Sequence, residues 1–188
     1  MEDLVQSFLL VVLGEMGDKT QLLALILTAR YKKPWTIMWG IFAATILNHG
    51  LAAAFGGHLS SLVEPNVLRW ILGLTFIGFA VWVLIPDKDD GLDQIQDKGV
   101  FWTTLTTFFL AEMGDKTQLA TIALGAKYQN VILVTIGTTL GMLVADGLAV
   151  FLGERLTQKM QMKWIRLVAA FLFFIFGVGI LIGLHTAL

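Results

Sequence analysis

The chain has 188 residues, 56% hydrophobic and 14% charged, with a formal net charge of −1. Globular domains carry about 25% charged residues, so this is not a water-soluble domain, and the near-neutral balance gives no footing for nucleic acid. There is no cysteine, which excludes disulfides, thiolate metal sites and cysteine nucleophiles.

The apolar runs are too long for the roughly 10-residue strands of a membrane barrel, so the expected class is all-α integral membrane. The chain opens Met1-Glu2-Asp3, acidic where a signal peptide requires a basic start. Residues from Leu4 onward therefore read as a retained first membrane helix. Six transmembrane helices are predicted, over residues 4–29, 35–57, 67–85, 100–126, 131–153 and 164–186. Arg30-Tyr31-Lys32-Lys33-Pro34 closes the first, and Glu64-Pro65-Asn66 parts the second from the third. The stretch from Pro86 to Gly99 is long, polar and rich in Asp, and the stretch from Glu154 to Lys163 precedes the last span. Trp35, Trp70, Trp102 and Trp164 stand near span starts, where an interfacial aromatic belt would put them.

The first and fourth spans contain the same eight residues. Glu15-Met16-Gly17-Asp18-Lys19-Thr20-Gln21-Leu22 recurs as Glu112-Met113-Gly114-Asp115-Lys116-Thr117-Gln118-Leu119, an offset of 112 − 15 = 97. The same offset carries Tyr31 to Tyr128, Gly40 to Gly137, Gly50 to Gly147, Arg69 to Arg166 and Phe76 to Phe173. The chain thus divides into a first repeat (1–86), an acidic linker (87–99) and a second repeat (100–188). Three helices per half is an odd number, so the halves must enter the membrane from opposite sides. Two three-helix inverted-topology repeats are the architecture of many secondary transporters, with the site at the repeat interface near mid-membrane. Duplication without transport is the plainer alternative.

Lys and Arg in the connections set the orientation. One side carries Arg30, Lys32, Lys33, Lys88, Lys98, Arg155, Lys159, Lys163 and Arg166; the other carries Arg69 and Lys127. The basic side should be cytoplasmic, which leaves both termini, and Arg69 with Lys127, on the non-cytoplasmic side.

Charged groups inside apolar spans are costly and mark function. On a continuous helix Glu15 and Asp18 share a face, and Lys19 lies four residues from Glu15, within pairing reach. Glu112, Asp115 and Lys116 repeat this. If the halves pack about a two-fold axis, the two acidic pairs face each other. Gly17 and Gly114 permit close helix approach, or a local break that frees carbonyls to bind a cation. Four carboxylates and two ammoniums leave the site at minus two, which one divalent cation neutralises. Carboxylates left unpaired in hydrocarbon take up protons, so metal and protons compete for the same oxygens, an antiporter in outline. Glu15, Asp18, Glu112 and Asp115 are the expected metal ligands, with Lys19 and Lys116 for charge balance or gating.

Hard oxygen donors suit Mg²⁺, Ca²⁺ and Mn²⁺, and a motif without Cys or His disfavours Zn²⁺ and Cu²⁺. Met16 and Met113 could add a soft sulfur favouring Mn²⁺, against the ordinary reading of Met as packing. Asp146, in the fifth span, is a further pathway candidate. Its repeat equivalent is His49, which follows Asn48 in the second span. That departure from symmetry could make one half the proton-handling half. Gln21, Gln118, Thr20 and Thr117 are ligands or interhelical hydrogen-bonding groups. Thr103, Thr104, Thr106 and Thr107 read as helix-stabilising, and Gly137/Gly141 as a small-xxx-small packing pattern.

The doubled E-x-G-D-[KR]-[TS] signature resembles that of the cation transporter family of Golgi manganese/calcium transporters, a chloroplast manganese importer and bacterial MneA-type manganese exporters. The likeness covers the whole chain. It implies that Glu15, Asp18, Lys19, Thr20, Glu112, Asp115, Lys116 and Thr117 form the family's functional motif. It further implies transport of Mn²⁺, with Ca²⁺ in some members, in exchange for protons, with no cofactor and no enzymatic activity. The short length, without an organellar presequence, looks like a bacterial inner-membrane member. The expected partners are the divalent ion, protons and the lipid bilayer, with the protein a monomer or homodimer. Rival readings are a Ca²⁺/H⁺ exchanger, a membrane scaffold and an intramembrane enzyme. Against the last, no HExxH pair or Ser/His constellation is visible.

Overall fold

A computed structural model describes residues 1–85, 98–152 and 162–183. The linker predicted at 87–99 lies outside the described residues except for Lys98 and Gly99. Among the described residues all regular structure is helical, in eight helices: α1 (Glu2–Glu15), α2 (Lys19–Tyr31), α3 (Pro34–Ser60), α4 (Pro65–Trp82), α5 (Val100–Glu112), α6 (Lys116–Tyr128), α7 (Val131–Leu152) and α8 (Met162–Leu181). Pro34 and Pro65 sit in the first turns of α3 and α4, where a missing N–H costs nothing. Lys32 and Gln129 end α2 and α6 in the left-handed region, each returning its N–H to a carbonyl of the last turn.

Among the described residues four helices, α3, α4, α7 and α8, are long and apolar enough to cross a membrane. The 27 residues of α3 rise about 40 Å, more than the roughly 30 Å hydrocarbon core. Of the two arrangements open to the first and fourth predicted spans, a continuous helix or a local break at the glycine, the structure has the break. Each span is broken at the shared motif, because Gly17 and Gly114 adopt φ of 82° and 78°, a region open to glycine and closed to most side chains. The pieces, 14 and 13 residues in the first span and 13 and 13 in the fourth, rise only about 20 Å each. Two backbone groups freed by each break find partners within it. Asp18 N–H bonds to Glu15 O at 3.0 Å and Asp115 N–H to Glu112 O at 3.1 Å.

Helix boundaries follow the 97-residue offset: Lys19–Tyr31 becomes Lys116–Tyr128 without a shift. Packing is exchanged between the two sets, since α1 lies against α7 and α5 against α3. Gly137 makes the first contact possible: a Cβ there would come within 2.5 Å of the Leu4 carbonyl. At the α3–α6 crossing a Cβ on Gly56 would fall 1.9 Å from the Ile122 carbonyl. The helices α4 and α8 pair through aromatic residues, and Phe76 stacks on its repeat equivalent Phe173 with centroids 6.2 Å apart.

The distribution of polarity is that of a lipid-facing bundle. Large apolar side chains such as Leu74, Val81, Phe171 and Phe174 are half or more exposed, whereas Glu15, His49, Glu112 and Asp146 are buried. Trp35, Trp70, Trp102 and Trp164 are all exposed near the starts of α3, α4, α5 and α8, as interfacial residues would be.

Candidate functional site

The two helix breaks bring the acids of both motifs to one buried region. Glu15 ends α1 and Asp18 caps α2; Glu112 ends α5 and Asp115 caps α6. Oxygens of Glu15, Glu112 and Asp115 lie within 4.8 Å of one another. Asp18 stands outside that group of three but is as buried as Asp115.

The lysines connect the motifs. Lys19 Nζ is 2.8 Å from Asp115 Oδ1, and Lys116 Nζ is 3.2 Å from Asp18 Oδ1. Pairing of Lys19 with Glu15 four residues earlier, within reach on a continuous helix, is not what is seen; the lysine reaches across to the other motif. The chain leaves the helix at Met16 and re-enters it at Lys19, so the i, i+4 geometry is absent. The same break removes the shared helix face expected for Glu15 and Asp18.

Hydroxyls hold the glutamates. Thr20 donates to Glu15 Oε2 at 2.7 Å, and Thr117 to Glu112 Oε2 at 2.9 Å. One oxygen of each acid is thereby engaged and the other is not: Glu15 Oε1, Asp18 Oδ2, Glu112 Oε1 and Asp115 Oδ2 are all buried without a hydrogen-bond partner. Unsatisfied anionic oxygens are expensive in a low-dielectric interior. Such oxygens are of the kind a hard cation takes, and three of the four acids, Glu15, Glu112 and Asp115, stand close enough together that they could hold one.

The glutamines act within the scaffold. Gln21 Oε1 accepts the Gly17 N–H at 3.1 Å and its amide donates to Ala145 O at 2.8 Å. Gln118 Oε1 accepts the Gly114 N–H at 2.7 Å and its amide donates to Asn48 Oδ1 at 2.6 Å. Of the two roles open to them, the hydrogen-bonding one is seen. Asn48 itself donates to Phe109 O at 3.4 Å. Met16 is partly buried, and Met113 is 57% exposed.

Asp146 on α7 is fully buried with both oxygens unpartnered, next to the Ala145 carbonyl that anchors Gln21. His49 on α3 is equally buried, with Nε2 3.9 Å from Glu112 Oε2. Arg166 on α8 was weighed in the sequence only for topology, yet its Nη2 donates to Gly17 O at 3.5 Å. The signal that could have found it is its repeat partner Arg69, a matching basic residue in the other half. Thr104 and Thr107 bond back to carbonyls four residues earlier, in the helix-stabilising role expected.

A family model described as "Divalent cation/proton antiporter GDT1" matches residues 3–91 and 100–187. A protein of Vibrio cholerae named as a proposed manganese exporter is 45% identical over 180 residues, 95% of this chain and 90% of that one. GDT1-like protein 3 of Arabidopsis thaliana is 28% identical, over 94% of this chain and 69% of its own. The GDT1-like protein sll0615 of Synechocystis is 27% identical, over 92% and 93%. No solved structure matches.

Proposed function

The chain belongs to the GDT1 family of divalent cation/proton antiporters, and from that premise we propose that it exports Mn²⁺ from the cytoplasm in exchange for protons. The family is one of transporters, so the reading as an intramembrane enzyme falls away. The named function of the Vibrio cholerae relative supports manganese as the cargo.

The observation that carries the proposal is the set of four buried, unpartnered oxygens contributed by Glu15, Asp18, Glu112 and Asp115. With Lys19 and Lys116 crossing between the motifs, four negative and two positive charges leave minus two. Arg166 and Asp146 add one of each sign and preserve the sum. A divalent ion neutralises the site, and so do two protons. Loading one and releasing the other on opposite faces of the membrane is the exchange. Mn²⁺ takes carboxylate oxygens readily; the glutamine amides position the breaks.

We take the fold as six spans in two inverted repeats, 1–86 and 100–188, joined by a cytoplasmic linker at 87–99. The shared helix boundaries and the exchanged α1–α7 and α5–α3 packing support this. Both termini then face away from the cytoplasm, in a bacterial inner membrane. Alternating access follows if the halves exchange conformations around the motifs.

Manganese tolerance in cells that depend on the protein tests the assignment. Glu15→Gln and Asp115→Asn should each abolish export while leaving membrane insertion intact. Full tolerance with either variant would remove the acids from the mechanism. In proteoliposomes with both ions present, Ca²⁺ carried in preference to Mn²⁺ would change the cargo but not the site.

A further inference from the structure

The ends of α3, α6 and α8 and the start of α4 meet on one side of the bundle and border an open cavity of about 210 Å³, lined by Ser60, Pro65, Arg69, Ala126, Lys127 and Ile180 among others. It is separate from the acidic site, with which it shares no lining residue. Its contents are unusual for their position. Arg69 and Lys127 are the two basic residues that sequence patterning leaves on the sparsely charged side of the membrane, and the fold brings both to one cavity.

Arg69 has no anionic partner among the described residues, and Lys127 hydrogen-bonds only to neutral groups while lying in the field of the Glu2 carboxylate. Arg69 Nε is buried without a hydrogen bond, and no ion pair involves Arg69 among the described residues. Its repeat equivalent Arg166 differs, being bonded to Gly17 O. Lys127 donates to the Tyr128 hydroxyl at 2.8 Å and to Gln6 Oε1 at 3.4 Å, both neutral, and lies over the Phe176 ring. Of the carboxylates of the adjoining α1, Glu2 accepts from Gln6 at 2.6 Å and attracts Lys127, and Asp3 accepts from Asn130 and from the chain's own ammonium, each at 2.9 Å. Glu64 is exposed and accepts from Asn66 at 3.3 Å.

We propose that this cavity binds a phosphate group, held between the Arg69 guanidinium and the Lys127 ammonium. A guanidinium fork and a point charge are the usual pair for that anion. Leu62 and Trp70, sequence neighbours of lining residues, are exposed apolar side chains, so the phosphate of an anionic lipid at the membrane surface and free phosphate share the chemistry.

The test is the thermal stability of the full chain in nanodiscs of phosphatidylcholine, with and without phosphatidylglycerol, and in detergent with and without inorganic phosphate. A ligand that binds only the folded state raises stability with its concentration. Phosphatidylglycerol should stabilise the protein, with roughly tenfold weaker apparent affinity in Arg69→Gln and in Lys127→Gln, the loss of one charge-assisted contact. Arg69→Lys should retain part of the effect. Stabilisation by Mn²⁺ should survive in all three variants, which reports that they fold and separates this site from the acidic one. A response to inorganic phosphate in detergent, lost in the same variants, would support the site with free phosphate as its source. No response to either probe, or one unchanged by both Gln variants, overturns the proposal.

Discussion

The crossed ion pairs make an asymmetric prediction. Lys116 and Asp18 are nearly fully buried, with side-chain exposures of 9% and 2%, whereas Lys19 keeps 29% exposure beside Asp115 at 5%. Replacing Lys116 by Met strands the Asp18 carboxylate, and removing one partner of a buried pair costs about 3–5 kcal/mol. Lys19→Met strands Asp115 in a site that water reaches more easily, and screening reduces the loss to about 1–2 kcal/mol. Asp18→Asn in the Lys116→Met background removes the stranded charge and should restore most of the lost stability. The coupling in that double-mutant cycle should be at least 1 kcal/mol, while the Glu15→Gln/Lys116→Met cycle should show little. The assay is unfolding of the purified chain by SDS titration in mixed micelles, without metal. Rescue of Lys19→Met by Glu15→Gln, with none by Asp115→Asn, would refute the crossed geometry and return the lysines to their own motifs.

Gly114→Ala should destabilise by about 1–2 kcal/mol through the left-handed backbone alone, since nothing lies within 4 Å of a Cβ there, and Gly17→Ala should cost at least as much; an unchanged SDS midpoint for Gly114→Ala would argue against the break. Gly56→Ala drives a methyl into the Ile122 carbonyl and should cost about 3 kcal/mol or more, whereas Gly78→Ala meets nothing within 4 Å and should be neutral; equal effects on folded yield would contradict the α3–α6 packing. Mn²⁺-dependent stabilisation should weaken as pH falls, because the carboxylates must be deprotonated to bind. An affinity for Mn²⁺ that does not change as pH falls would separate the proton site from the metal site.

Hydropathy and duplication were legible in the chain because both are local. A helix in lipid must satisfy its backbone internally and present apolar side chains along its length, so α3, α4, α7 and α8 announce themselves. The twin octapeptide marks the site for the same reason: acids at that depth stand out against their neighbours. The partners of those acids were not legible. Gly17 is compatible with a continuous helix or a break, and the folded chain has the break, with Gly17 at φ 82°. That choice sent Lys19 to Asp115 and Lys116 to Asp18, turned Gln21 and Gln118 into struts, and put Arg166 on the Gly17 carbonyl. Spacing along one helix predicts contacts three and four residues apart. Contacts between motifs 97 residues apart in sequence depend on how the helices pack, and only the tertiary structure could supply them.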